Sequence, residues 1–378
     1  MPKAAAGASS VKPLSGLFAI AKPSGPTSMH MLDELKTLLA SSSLFYPPDA
    51  PPPFSAAARN TKRAKPWERA LLKKCGRLPP KIGQGGTLDP LAEGVLVIGI
   101  GDATKRLQDF LHCTKEYRVT GLLGTSTTSY DSQEPVLQHA PHHHVTAELV
   151  RARLASFTGA VQQIPPLYSA LRMDGKRLFE YAREGVPLPR PIAPRDVHIE
   201  ALSLLEWLPH DTHDYKPPAD QVPAEDVALF AKVRDMAGRS HALDTVSDSA
   251  PLAPATPPHM GSDVPPAAFT LEMTVSSGTY VRSIVHDLGA ACGSAAHVVR
   301  LIRTRQGKFA LGEAHAENEG DVHAPPSSHT AIPWHIFETG LEELAAARTD
   351  GTRIDARDAQ GLCAWERAIL EQYVYTIF

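Results

Sequence analysis

The sequence has no apolar run approaching the length of a membrane span, no CxxC pair and no Cys/His spacing of a metal site. The first absence excludes a membrane-crossing helix. The four cysteines, Cys75, Cys113, Cys292 and Cys363, are scattered over 378 residues. That excludes a disulfide scaffold and a zinc module, and it points to a reducing compartment. The triplet His142, His143, His144 has no second ligand cluster near it in sequence. Adjacent side chains diverge, so the triplet reads as a solvated loop, and no metal is expected. There is no internal repeat to suggest a solenoid.

The chain is 43% hydrophobic, enough for one large core or two moderate ones. Its net charge of −3 looks wrong for a partner of nucleic acid until it is divided. Residues 209–266 hold nine acidic against four basic residues, and residues 313–378 hold twelve against four. With both stretches set aside, the remaining body carries +10. A basic body with acidic appendages fits a polyanionic partner.

Three stretches read as inserted or peripheral. Residues 41–77 begin proline-rich, "SSSLFYPPDAPPPFSAAA", and end cationic, "RNTKRAKPWERALLKKCGR", which predicts an extended or disordered segment followed by a short basic helix. Residues 209–266 read as a surface excursion with one helix near "EDVALFAKVRDMAGRSHAL". The acidic tail, 313–378, reads as an extension with helices near "GLEELAAART" and "GLCAWERAILEQY". The start, "MPKAAAGASSVKP", reads equally as a weak presequence or a plain disordered segment.

Between these stretches lie strands at "LFAIAK", "GVLVIGIG", "KEYRVTGLLG", "IEALSLLEWL" and "AFTLEMTVSS". Helices are predicted at "SMHMLDELKTLLA", capped by Thr27 or Ser28, and at "ATKRLQDFLHC", "TAELVRARLASFTG" and "TYVRSIVHDLGAAC". Strands and helices mix irregularly, which predicts an α+β fold with a mostly antiparallel central sheet.

The most informative stretch is "KIGQGGTLDPLAEGVLVIGIGDATKRL", residues 81–107. Gly85 and Gly86 permit a tight, backbone-exposed loop, and Pro90 holds Asp89 extended. A phosphate-binding loop would need Lys-Ser/Thr opening a helix, whereas Leu-Asp-Pro here leads into a strand. Taken alone, Asp89 reads as an ordinary turn aspartate before proline. Elsewhere, "QQIPPLYSALRMDGKRLFEYAREGVPLPR" interleaves Tyr168, Phe179 and Tyr181 with Arg172, Lys176, Arg177 and Arg183. Aromatics among cations suit RNA bases and backbone, although an amphipathic surface helix gives the same pattern.

Four stretches in order, "GGTLDPLAEGVLVIGIGDATK", "KEYRVTGLLG", "IPPLYSALRMDGKRLFEYAREG" and "SSGTYVRSIVHDLG", resemble the successive motifs of the TruB family of tRNA pseudouridine synthases, in its fungal, insert-bearing form. The resemblance runs from about Leu17 to Lys308 and includes "KPSGPTS" at Lys22. It implies the pseudouridine synthase fold over 17–312 with a thumb-like segment at 164–189. It also implies an isomerase that turns uridine 55 of the tRNA T-loop into its C-glycoside without a cofactor. Asp89 would be the nucleophile, with Arg282 pairing it, Tyr117 stacking on the flipped base and Tyr280 helping to remove the carbon-5 proton.

By the same resemblance, RNA contacts fall to Lys22, Gln84, Asp131, Arg172, Lys176, Arg177, Leu301 and Arg303, with Asp131 beside the arginine. The implied partners are tRNA and, secondarily, messenger RNA with a similar loop; a monomer in the nucleus and mitochondrion is the default. Two alternatives stay open: a guide-RNA-dependent synthase of the dyskerin type, and a tRNA-folding chaperone. The departure from the bacterial pattern is Gln84, where those relatives carry histidine. Glutamine cannot stack as an imidazole does, so altered RNA affinity with retained chemistry is expected.

Overall fold

The computed structural model describes residues 13–55, 57–58, 65–224, 227, 265–312, 329–350 and 357–375. The start of the chain, read as a presequence or a disordered segment, the helix expected at 225–243 and the beginning of the acidic tail fall outside the described residues. Along the chain the elements are β1 (Gly16–Lys22), α1 (Ser28–Ser41), α2 (Pro66–Cys75), β2 (Ile82–Gln84), β3 (Glu93–Ile100), α3 (Leu107–His112), β4 (Lys115–Leu123), β5 (Thr125–Thr127), β6 (Val136–His139) and α4 (Ala147–Leu154). Then come β7 (Gly159–Gln163), β8 (Arg172–Met173), β9 (Lys176–Arg177), α5 (Leu178–Arg183), β10 (Arg195–Leu208), β11 (Ala268–Val275), α6 (Val281–Ala291) and β12 (Ala296–Gln306). The C-terminal part adds β13 (Phe309–Ala310), β14 (His329–Thr330), β15 (Ile332–Pro333), α7 (Trp334–Asp350), α8 (Ala364–Gln372) and β16 (Val374–Tyr375).

The chain forms two compact units, 1–111 with 305–378, and 112–304. In the first unit, every residue of β1 is buried. That strand pairs with β3 and β16 antiparallel and with β15 parallel, while β2 lies antiparallel on β3. A fully apolar strand is what burial on both faces demands. Helix α1 buries Met31, Leu32, Leu35, Leu38 and Leu39, and the Thr27 hydroxyl caps it by accepting from the His30 amide.

The acidic tail is not the appendage expected from its composition. Its described part contributes β15 and β16 to β1, and α7 lies against α1. Phe337 and Trp365 are buried, the first beside Phe18 and the second stacked on Phe45. A few buried aromatics outweigh an acidic outer face, so net charge misjudged this segment. Phe45 also ties down the proline-rich segment, which had been expected to run loose.

In the second unit, β4 pairs with β11 along its whole length, β11 with β10 and β10 with β7, all antiparallel. Strand β12 lies beside β4. The mostly antiparallel α+β expectation therefore holds in both units. The acidic excursion after residue 208 is the connection between the antiparallel neighbours β10 and β11, where an insertion disturbs no pairing. Among the described residues there is no group of three metal-ligating side chains and no helix long and apolar enough to cross a membrane. His144 of the histidine triplet instead hydrogen-bonds the Cys292 carbonyl at 2.9 Å.

Candidate active site

In the first unit, the segment from Gln84 to Ala92 links β2 to β3 and carries Asp89, half-buried. Glycine is needed at its start for two reasons. A Cβ on Gly85 would come within 2.8 Å of Phe110 Cβ, and Gly86 has φ +136°. The loop is then held almost atom by atom. The Ser28 hydroxyl accepts from the Leu88 amide at 3.0 Å and donates to the Leu88 carbonyl at 2.9 Å. Ser24 donates to the Leu91 carbonyl, and the Gln306 amide to the carbonyls of Gly85 and Phe110. Leu88 itself is buried as an apolar peg.

Lys22, at the end of β1, is the strongest of these ties. It is 2% exposed, and its ammonium donates to the carbonyls of Pro23 at 2.9 Å, Pro90 at 3.1 Å and Ala92 at 2.7 Å. An RNA contact was expected of it; the structure turns its charge inward, onto carbonyls of the loop just after Asp89. Lys22→Met keeps the aliphatic stem and removes the donor from buried carbonyls, each worth about 1–3 kcal/mol. The expected loss is about 2–4 kcal/mol in chemical denaturation; an unchanged midpoint and slope would show that the loop does not depend on this residue. Gln84 donates to the Thr87 hydroxyl at 3.1 Å, while its Oε1 is buried without a hydrogen-bond partner among the described residues.

In the second unit, the start of α6 sets out two expected residues. Tyr280 occupies the N-cap position, half-buried, and Gln163 grips its backbone from both sides: Nε2 donates to the Tyr280 carbonyl at 2.9 Å and Oε1 accepts from its amide at 2.7 Å. Two residues on, Arg282 is 4% exposed. Its guanidinium donates to the Ser129 carbonyl and, at 2.9 Å, to the Tyr168 carbonyl, and its Nε lies 3.7 Å from the Asp131 carboxylate. Asp131 accepts at Oδ1 from the Ser129 hydroxyl at 2.6 Å and the Gln133 amide at 3.0 Å. So the arginine and this aspartate come together as expected, in a buried, hydrogen-bonded pair whose donors fix the carboxylate's direction.

Sequence reasoning missed what sets that pair in place. Tyr130 adopts φ +65°, uncommon for a residue with a side chain, and its ring stacks on His286 at 3.9 Å and 9°. Arg282 and His286 are four apart on α6, so one helix face holds the 129–131 turn at two points. That i, i+4 spacing was a readable signal. The Gln163 clamp and the Ser28 bracket had none, because each joins residues far apart in sequence.

The remaining expected residues fall into two groups. Tyr117 is buried on β4, opposite Met273 of β11. Leu301 and Arg303 lie on β12, buried, Arg303 at 1% exposure; the electrostatic field of this arginine acts on Cys113 and on buried Lys115, whose ammonium burial pushes below its usual range. Arg303 is therefore an interior cation of this unit, not the surface one that a direct RNA contact implies. Arg172, Lys176 and Arg177 sit on the β8–β9 hairpin, whose turn residues Asp174 and Gly175 both have positive φ. With α5 the hairpin encloses its own apolar cluster of Met173, Leu178, Tyr181, Leu188 and Ile192. Lys176 lies 4.7 Å from the Tyr181 ring centroid, and Arg177 and Arg183 lie over Phe179. The aromatic–cation pattern is thus a small folded element and not a single amphipathic helix.

The model for the TruB family pseudouridylate synthase N-terminal domain matches residues 69–215. The tRNA pseudouridine synthase 4 of Schizosaccharomyces pombe is 39% identical over 351 residues, covering 82% of this chain and 83% of that protein. The Saccharomyces cerevisiae protein of the same name is 36% identical over 79% of this chain and 78% of its own length. The human pseudouridylate synthase TRUB1 is 33% identical over 79% of this chain and 63% of its own. Among solved structures, a Cbf5-Nop10-Gar1 complex has a chain matching at a TM-score of 0.43 and 19% identity, covering 89% of this chain and 57% of that one. Identity of this depth over four fifths of its length, on a chain that builds the aspartate loop and the arginine helix as described, makes this protein a member of the TruB family of pseudouridine synthases.

Proposed function

We propose that the chain is a stand-alone tRNA pseudouridine synthase acting on uridine 55 of the T-loop, with T-loop-like sites in messenger RNA as secondary targets and residence in the nucleus and mitochondrion. The observation that carries the reading is the Asp89 loop, a carboxylate on a segment fixed by Lys22, Ser24, Ser28 and Gln306. A nucleophile must arrive in one geometry, and such a loop supplies that at no cost in ordering during the reaction. The target base leaves its stack to reach the carboxylate, and Tyr117 packs against it. Asp89 attacks the ribose or the base as the C1′–N1 bond breaks. The uracil turns, C1′ bonds to carbon 5, and the bond formed by Asp89 breaks, returning the free carboxylate. The carbon-5 proton then leaves, with Tyr280 assisting, and N1 gains one. No atom is lost and nothing is oxidised, so one nucleophile suffices where a glycoside hydrolase uses two carboxyl groups. Arg282 is the arginine assigned to the nucleophile, and its ion pair with Asp131 orients it. The Arg172–Arg183 element closes on the T-arm.

Target choice is tested with an isolated T-arm hairpin and a second hairpin in which the uridine is moved one position along the loop. Product is expected only at the position equivalent to 55; equal conversion of both hairpins would overturn the assigned specificity.

A further inference from the structure

Helix α2 takes no part in the chemistry above, yet it is firmly built. Its inner face buries Leu72 and Cys75, with Cys75 Sγ 3.9 Å from the Thr37 hydroxyl of α1. Gly76 ends it in the left-handed region at φ +79°, its amide bonded to the Leu72 carbonyl. The next residue, Arg77, is buried and donates to the carbonyls of Ala40 at 2.7 Å, Ser42 at 2.6 Å and Pro51 at 3.3 Å. Its guanidinium lies 3.5 Å from the ring centroid of Tyr46, whose phenol burial pushes up to about 12. Few surface inserts are tied down by a buried arginine.

The outer face is cationic and carries one large apolar ring. Lys65, Arg69, Lys73 and Lys74 are exposed, and Trp67, at 59%, is the most exposed large hydrophobic side chain among the described residues. Lys74 also reaches the Asp33 carbonyl at 3.3 Å. The single acidic residue, Glu68, is half-buried and accepts from the Lys65 amide at 2.6 Å. Lysines in a last turn complement the helix dipole, which accounts for Lys73 and Lys74. It does not account for cations at Lys65 and Arg69 or for a tryptophan between them. An isolated exposed tryptophan is ordinary. Flanked by cations on a rigid helix, it has the composition of a platform for nucleic acid, where bases stack on rings and phosphates pair with the charges.

We propose that the outer face of α2 is a second RNA-contact surface, with a phosphate backbone lying along Lys65, Arg69, Lys73 and Lys74 and an unpaired base stacked on Trp67. This rests on the reading of tRNA as substrate. The test uses the full chain and an unmodified tRNA transcript, with affinity measured across a salt series. Each phosphate contact contributes about 0.7–0.9 to the slope of log affinity against log salt, so Lys73→Gln/Lys74→Gln should lower that slope by about 1.5. Lys73→Arg/Lys74→Arg should restore it. Trp67→Ala should weaken binding about tenfold at fixed salt. Conversion at saturating tRNA should stay at the parent rate in all three.

Parent-like slope and affinity in the glutamine and alanine variants, with unchanged melting, would overturn the surface. It would equally fall if an acidic protein, and not tRNA, bound in a way that these variants abolish. A changed slope in a chain that makes no pseudouridine would leave the surface standing and remove the assigned reaction instead.

Discussion

Asp89→Asn is expected to abolish pseudouridine formation, by at least about 10⁴-fold in single turnover, while tRNA affinity stays within about threefold. The amide is isosteric with the carboxylate, and the ties on this loop run to backbone atoms of its neighbours, the carbonyls of Pro90, Leu91 and Ala92 and both polar groups of Leu88. None of those ties involves the Asp89 side chain. The substitution removes the assigned nucleophile and leaves those ties in place. Rapid-quench measurement of product on a stoichiometric complex, beside a binding titration, separates the two effects. A rate within tenfold of the parent would mean that the carboxylate is not the attacking group.

Arg282→Met is expected to cost both stability and rate. Its guanidinium is the counter-charge of buried Asp131 and the donor to two backbone carbonyls. Removing one member of a buried ion pair costs about 3–5 kcal/mol, because the other charge stays behind unpaired. Asp131 keeps its bonds from the Ser129 hydroxyl and the Gln133 amide, which places the expected loss at the lower end of that range. The double variant Arg282→Met/Asp131→Leu removes both charges and should regain part of the stability. It should regain none of the activity, since the arginine assigned to the nucleophile is still gone. Recovery of activity in the double variant would make Arg282 a structural residue only. Denaturation and single-turnover rates on the parent, Arg282→Met, Asp131→Leu and the double variant give the complete cycle.

The strands and helices were legible because their patterns are local. The apolar run that opens "LFAIAK", the cap at Thr27 and the basic helix of α2 all appear where periodicity and punctuation put them. The roles given to Asp89, Tyr280, Arg282 and Asp131 rest on motif resemblance, and the structure places Arg282 beside Asp131. What could not be read was which way a charge points. Lys22 and Arg303 look alike as surface cations in one dimension, yet both are buried. The ammonium of Lys22 is directed by loop carbonyls about 70 residues further on. The acidic tail misled for the opposite reason: its charge is spread over the whole segment, but its place in the fold is decided by Phe337, Trp365 and a few strand residues. Composition averages over the residues that decide.

Two fixed elements, a pinned aspartate loop and a clamped arginine helix, make this chain sufficient for isomerisation by itself in this account. The direct measurement is pseudouridine at position 55 of an unmodified tRNA transcript, incubated with the parent protein in the absence of guide RNA, nucleotide or redox cofactor. The account predicts more product than enzyme. Tight binding of the transcript with no product formed would contradict it.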